Sequence, residues 1–148
     1  MRQRFVVDVH LLLLKEGQVL LGQRQNTGFG DGYWHLPAGH LEASESLPHA
    51  LAREAREELG IEVEPAAATL VHVMHHVSGR VGMFFAVDAW RGDVQNMEPV
   101  KCPALGWHDL GELPPRTVGY ARHAIASWVA GREFSVYGWA ADDLDAAA

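Results

Sequence analysis

At 148 residues the chain is long enough for one domain with a single core and too short for two of ordinary size. Hydrophobic residues make up 48% and charged residues 21%, a globular composition that excludes a largely disordered chain. The net charge of −7, from 19 acids against 12 bases, excludes a protein held on a nucleic acid polymer or anionic lipid mainly by its charge.

The excess is local. Seven Glu and two Arg lie between residues 42 and 64, and Asp142, Asp143 and Asp145 crowd the C-terminus, so the remainder is close to neutral. A lone Cys102 rules out an intramolecular disulfide framework and a Cys-based zinc site, and the expected compartment is a reducing cytoplasm. Arg2 and Arg4 before an apolar run resemble a secretion signal, but Asp8 and His10 interrupt the run and no small-residue cleavage site follows. No apolar stretch approaches the roughly 20 residues of a membrane span.

In chain order, the Val- and Leu-rich residues 4–14, a turn over Lys15 to Gln18 and a second apolar run over 19–22 predict a hairpin. Residues 25–34 carry three Gly, an Asn and an Asp and read as an exposed loop. Pro37, Ala38 and Gly39 break the backbone before a helix over 47–59, with Ser44 or Ser46 as N-cap, Pro48 in the first turn and Gly60 as the stop. Strands over 69–77 and 81–90 form a second hairpin across Ser78, Gly79 and Arg80. A shorter strand over 104–110 and a helix over 120–129 follow. The order predicts an α+β fold, a mixed sheet with helices packed on it, as one domain over 1–140. Residues 141–148 are small and acidic and are expected to be a flexible tail.

On the helix over 47–59, Leu47, Leu51, Ala55 and Leu59 fall within an arc of about 120° and face the core. Glu54, Glu57 and Glu58 fall on an adjoining arc, beside the apolar stripe and not opposite it. Carboxylates at this spacing repel by roughly 0.2–0.5 kcal/mol per pair in water, and more at a partly buried margin. A helix needing only a solvated face would alternate signs. A hard divalent cation, Mg²⁺ or Mn²⁺, removes the conflict, and such ions share their coordination with substrate phosphates. The competing reading is a merely acidic, solvated helix face.

The surrounding spacing bears on that choice. Gly39 is followed after five residues by Glu45, then after seven more by Arg53, Glu54, Ala55, Arg56, Glu57, Glu58, Leu59, Gly60 and Ile61. This segment resembles the signature of the Nudix hydrolase family at every fixed position, with Ala55 smaller than the usual aliphatic. The resemblance extends to the preceding hairpin, to Trp34, Leu36 and Pro37 before the motif, and to Trp107, Asp109, Leu110, Leu113 and Pro114 near the end.

The resemblance implies a mixed sheet sandwiched between helices and the hydrolysis of a diphosphate linkage in a nucleotide. Glu54, Glu57 and Glu58 would be the metal-binding carboxylates, one of them acting instead on the attacking water, and Arg53 would hold Glu54. Gly39 would permit the turn into the helix, with the Ala38 carbonyl as a further metal ligand where many relatives carry Gly. Arg24 resembles the family's phosphate-binding Arg, against a reading as an ordinary surface Arg. Glu98 resembles the extra carboxylate that some relatives bring from outside the motif, against a solvated loop acid.

For the base or leaving group, Tyr33, Trp34, Phe84, Phe85 and Trp107 are the aromatic candidates, with core packing the competing role of each. His72, His75 and His76 raise a zinc reading, but on a strand His75 points away from the other two. The apolar segment Phe134 to Trp139 is expected to dock on the domain or on a second copy as a homodimer. Three functions compete: a Mg²⁺-dependent hydrolase of (deoxy)nucleoside triphosphates, damaged ones included; a hydrolase of ADP-sugars, dinucleoside polyphosphates or other organic diphosphates; and a non-catalytic ligand sensor. Relatives of the second kind often carry a Pro or Tyr beyond the motif, where this chain reads His75 to Arg80. The complete set of motif carboxylates disfavours the third.

Overall fold

The computed structural model describes residues 1–139; the tail expected over 141–148 lies outside the described residues. Strand β1 (Val6–Lys15) is buried on both sides along its middle, as its near-continuous apolar run requires. Val9, Leu11 and Leu13 face helix α1 (Leu47–Leu59), and Leu12 faces helix α2 (Gly119–Val129) across the sheet. The expected sandwich of a mixed sheet between helices is therefore what forms.

The first hairpin is shallower than its sequence suggests. Glu16 and Gly17 both take positive φ (51° and 78°), the two-residue turn that matches strand twist. Yet β1 pairs with β2 (Gln18–Gln23) only at Leu14↔Val19 and Lys15↔Gln18. Upstream, β1 runs parallel to β6 (Arg80–Val87) from Val6↔Arg80 to Leu13↔Val87, while β2 pairs with β3 (Trp34–His35) and β7 (Ala104–Asp109). The short strand β4 (Ala38–His40) lies antiparallel on the other end of β1, through Asp8↔His40, Val9↔Gly39 and His10↔Ala38.

The second hairpin forms between β5 (Thr69–His76) and β6, with a bulge between Leu70 and His72. The bulge sets the parity of everything after it. His72, Met74 and His76 stand opposite Phe84, Gly82 and Arg80, on the α2 face of the sheet. The segment expected to dock does so within the chain: β8 (Phe134–Tyr137) extends the sheet parallel to β5.

Helix α1 has the predicted ends. Ser46 Oγ accepts from the His49 amide, Pro48 sits in the first turn, and Gly60 closes the helix at φ 66°. Leu51, Ala55 and Leu59 are buried against Val9, Leu11, Phe85 and Val87. Truncating Leu51 or Leu59 to Ala would cost about 2–5 kcal/mol.

Candidate active site

Arg53 organises the charged face of α1. Its Nη2 and Nε donate to Glu45 at 2.8 and 3.1 Å, its Nη1 donates to Glu54 at 2.9 Å and to Glu57 at 3.3 Å, and Nη2 also reaches the His40 carbonyl at 3.1 Å. One guanidinium thus ties the loop before the helix to two of its carboxylates, the geometry for which a planar fork is suited. The Arg53 hydrogen bonds hold Glu45 down to about 2, and the same contacts raise the proton affinity of Arg53.

Glu54 and Glu58 lie on the inner side of this face. Burial raises Glu54, and the adjoining Arg53 opposes the rise. Glu58 is pushed up to about 9, first by burial and then by the neighbouring carboxylates Glu54 and Glu98. Its Oε2 is buried without a hydrogen-bond partner. Glu98 arrives from a distant loop by backbone means. The last carbonyls of α1, which a helix leaves unpaired, accept from that loop: Leu59 from the Gln95 amide at 2.8 Å and Glu58 from the Met97 amide at 3.1 Å.

Glu54, Glu58 and Glu98 line one cavity of about 530 Å³, together with Arg24, Ala38, Gly39, Lys101 and Cys102. Six of the residues predicted from sequence (Arg24, Ala38, Gly39, Glu54, Glu58 and Glu98) are therefore brought together. Glu57 is 53% exposed and leans on Arg53 at the rim. Arg24 is engaged by the loop after β2: its Nε donates to the Phe29 carbonyl at 2.7 Å and its guanidinium lies over the Phe29 ring.

Of the aromatic candidates, Tyr33, Trp34, Phe85 and Trp107 do not line either of the two cavities beside the carboxylates. Phe85 is buried beneath α1. Trp107 packs beside Trp90 with Lys15 over its ring, Trp34 packs in the core under α2 against His108, and Tyr33 lies beneath Arg116. Along a strand, neighbours point to opposite faces, so Phe84 and Phe85 cannot share a role. Phe84 is the one that lines a second cavity, of about 500 Å³, on the α2 face.

That second cavity adjoins the first through Arg24, His35, Ala38, Gly39 and His40, which line both. Its walls include Asp8, His10, Arg80, Gly82, Phe84 and Tyr120, of which only Phe84 was legible as a candidate. His10 stacks on Phe84 at 4.3 Å and beside His35 at 5.5 Å, and His35 Nε2 bonds the Tyr120 hydroxyl. Burial pushes His10 down to about 3 and His35 well below its ordinary value, so both imidazoles are neutral.

Of the three histidines read for zinc, His72 bonds the Arg132 carbonyl and Ser135, His75 packs against Phe5, and His76 lines the second cavity. They do not converge. Among the described residues no three His, Cys, Asp or Glu side chains stand close enough to hold an ion as they are. The carboxylate set nevertheless suits a cation: Glu58 is buried with an oxygen unpartnered, and three further carboxylates, Glu54, Glu98 and Glu57, raise its proton affinity.

A mixed sheet between two helices, with a Gly39 to Ile61 loop and helix presenting clustered carboxylates to a cavity, defines a Nudix domain. The NUDIX domain family model matches residues 3–128, and the chain belongs to that family. It is 31% identical to a MutT NUDIX hydrolase from Burkholderia pseudomallei, whose crystal structure superposes with a TM-score of 0.73 over 85% of this chain and 98% of that one. It is 38% identical over 78 residues to a CTP pyrophosphohydrolase of Escherichia coli, 53% of this chain and 57% of that protein. An 8-oxo-dGTP diphosphatase of Proteus vulgaris is 34% identical over 82 residues, 54% of this chain and 72% of that one. Among the described residues no helix is long and apolar enough to cross a membrane.

Proposed function

We propose that this protein is a divalent-metal-dependent hydrolase that cleaves a diphosphate linkage in a nucleotide, converting a (deoxy)nucleoside triphosphate, damaged ones included, to the monophosphate and pyrophosphate. The observation that carries the reading is the cavity in which Glu54, Glu58 and Glu98 face Arg24 and Lys101, beside a cavity lined by aromatic and imidazole rings.

Glu54, Glu57, Glu58 and Glu98, with the backbone at Ala38 and Gly39, would hold Mg²⁺, with Mn²⁺ as a substitute. Bound there, the cation supplies charge neutralisation for the phosphate oxygens and a more acidic water. Arg53 fixes Glu54 and restrains Glu57, so these carboxylates are oriented before substrate arrives. Arg24 and Lys101 add positive charge where the phosphates lie, and Gly39 keeps the backbone close to Glu54. One of Glu54, Glu57 and Glu58 would act instead on the attacking water, taking its proton. The adjoining cavity, lined in part by the neutral His10 and His35 rings and by Phe84, would take the non-phosphate portion of the substrate. The negative face of α1 would make nucleotide binding poor without the cation and strong with it.

Tested on a panel of NTPs, oxidised dNTPs, ADP-ribose, dinucleoside polyphosphates, prenyl diphosphates and 5′-triphosphorylated RNA, the protein is expected to release pyrophosphate from triphosphates only with Mg²⁺. Turnover unaffected by EDTA would overturn the metal dependence, faster cleavage of ADP-ribose or dinucleotides would favour the second substrate class, and no turnover would favour the sensor. We place the protein in the cytoplasm, in keeping with its single free Cys102.

A further inference from the structure

Helix α1 holds Glu54, Glu57 and Glu58, whereas Glu98 stands on an exposed stretch, residues 97–101, outside helix and strand. Its charge bears on both Glu54 and Glu58. Like charges repel, so a loop acid left to solvent would swing away from those two carboxylates. That Glu98 instead shares their cavity requires a restraint on its backbone.

Asn96 supplies the first part of that restraint. Its Oδ1 accepts from the Glu98 amide at 3.1 Å, and its Nδ2 donates to the Cys102 carbonyl. Both partners are main-chain groups of fixed role, which sets the orientation of the side-chain amide. The Glu98 carbonyl in turn accepts from the Lys101 and Cys102 amides at 3.1 and 2.9 Å, and Pro99 follows Glu98 at the turn position that suits its fixed φ. The main chain from 96 to 102 is thus closed around one half-buried side chain.

The second part comes from the opposite wall. The Gln25 amide donates to the Lys101 carbonyl at 2.9 Å, and Asn26 Nδ2 donates to the Val100 carbonyl at 3.0 Å. Asn26 does so from φ 57°, a left-handed conformation that Asn tolerates better than most residues. A β-carbon at Gly22 in β2 would stand 2.8 Å from Cys102 Sγ, so the strand leaves room for the end of the loop to seat. Asn26 and Asn96 line the same cavity as Glu54, Glu58 and Glu98.

We infer that Asn96 and Asn26 are positioning residues for the cation site: Asn96 fixes the backbone that carries Glu98, and Asn26 pins that loop beside Arg24. The inference rests on the proposed cation site, and it is measured apart from the reaction. Titration of the full chain with Mn²⁺ alone, followed by electron paramagnetic resonance, reads the site with no nucleotide present.

Asn96→Ala should weaken Mn²⁺ binding by about tenfold, the usual loss when a residue that orients a metal ligand is removed. Asn26→Gly, which keeps the left-handed backbone and deletes only the side chain, should weaken it by a smaller factor. Asn96→Asp keeps the acceptor, loses the donor and serves should Asn96→Ala fail to fold. In a Glu98→Gln background both losses should shrink below about twofold, because the carboxylate being positioned is already gone. A general destabilisation, followed by urea unfolding without metal, would act alike in both backgrounds.

Mn²⁺ affinity unchanged in folded Asn96→Ala or Asn96→Asp, or a loss of equal size with and without the Glu98 carboxylate, overturns the role of Asn96. The same results for Asn26→Gly overturn that of Asn26. Wild-type affinity in Glu98→Gln overturns the whole inference and leaves the proposed hydrolysis standing. Losses that vanish with Glu98→Gln, in a protein that cleaves no diphosphate, support the inference while sinking the proposed reaction.

Discussion

The Glu54 carboxylate lies directly over the α-carbon of Gly39, so that a β-carbon on residue 39 would overlap it. Glycine is required there by contact and not by backbone conformation, since Gly39 is not among the residues with positive φ. The glycine that stands well upstream of the carboxylates in the motif is thus one half of a packing pair.

Gly39→Ala should therefore leave α1 folded while displacing Glu54. A misplacement of this kind costs on the order of 100-fold in kcat. Steady-state kinetics with a thermal melt would check it, and a variant with wild-type kcat would show that Glu54 needs no such placement.

Arg53 joins Glu45, Glu54, Glu57 and the His40 carbonyl at a side chain only 22% exposed. Arg53→Lys keeps the charge but loses the fork, and Arg53→Ala loses both. Hydrogen bonds to charged partners contribute about 1.5–3 kcal/mol each at most, and they are shared here, so a loss of about 2 kcal/mol is expected for Arg53→Ala in urea unfolding. Lys should recover only part of it. Full recovery by Lys would show that charge alone matters.

Glu58 is protonated at neutral pH in the metal-free protein, because burial and its carboxylate neighbours push it up to about 9. A raised carboxylate favours the folded state below its unfolded value of about 4.5, and that contribution is lost as pH rises through the folded value. Metal-free stability should decline across this window in the wild type and decline less in Glu58→Gln, whose amide resembles the protonated acid. Added Mg²⁺ should raise the melting temperature of the wild type and not of Glu58→Gln, and kcat of the variant should fall by orders of magnitude. Equal Mg²⁺ stabilisation of both would remove Glu58 from the ligand set.

His10 gives the opposite slope. Burial holds it at about 3, far below the usual 6.5. The unfolded chain takes up its proton as pH falls below 6.5 while the folded protein does not. Stability is complete above that value and drains away toward pH 3, by on the order of 4–5 kcal/mol if fully expressed. His10→Leu should flatten this acid limb in chemical denaturation measured from pH 7 to pH 4. An unchanged limb would assign the acid loss elsewhere.

The two readings of the chain separate by the range of the physics involved. Helix α1, its Ser46 and Gly60 caps, its Leu51–Ala55–Leu59 stripe and the adjoining Glu54, Glu57 and Glu58 were legible in the sequence, because an α-helix fixes the relative direction of residues three or four apart whatever surrounds it. Arg53 beside Glu54 followed from the same local geometry. The choice between Phe84 and Phe85 could not be made that way. It depends on the bulge at Leu70/His72 and on the parallel register of β1 with β6, and a shift of one residue would exchange the two faces. The ring-lined cavity is likewise decided between strands: Asp8, Gly82 and Tyr120 are far apart in the chain and meet only because the sheet pairs β1 with β6 beneath α2. The sequence by itself determined where the carboxylates stand on their helix. Only the tertiary structure decided what they face, since Glu98 reaches them by closing a loop onto the helix's unpaired carbonyls and the neighbouring cavity is shaped by side-chain packing across three strands.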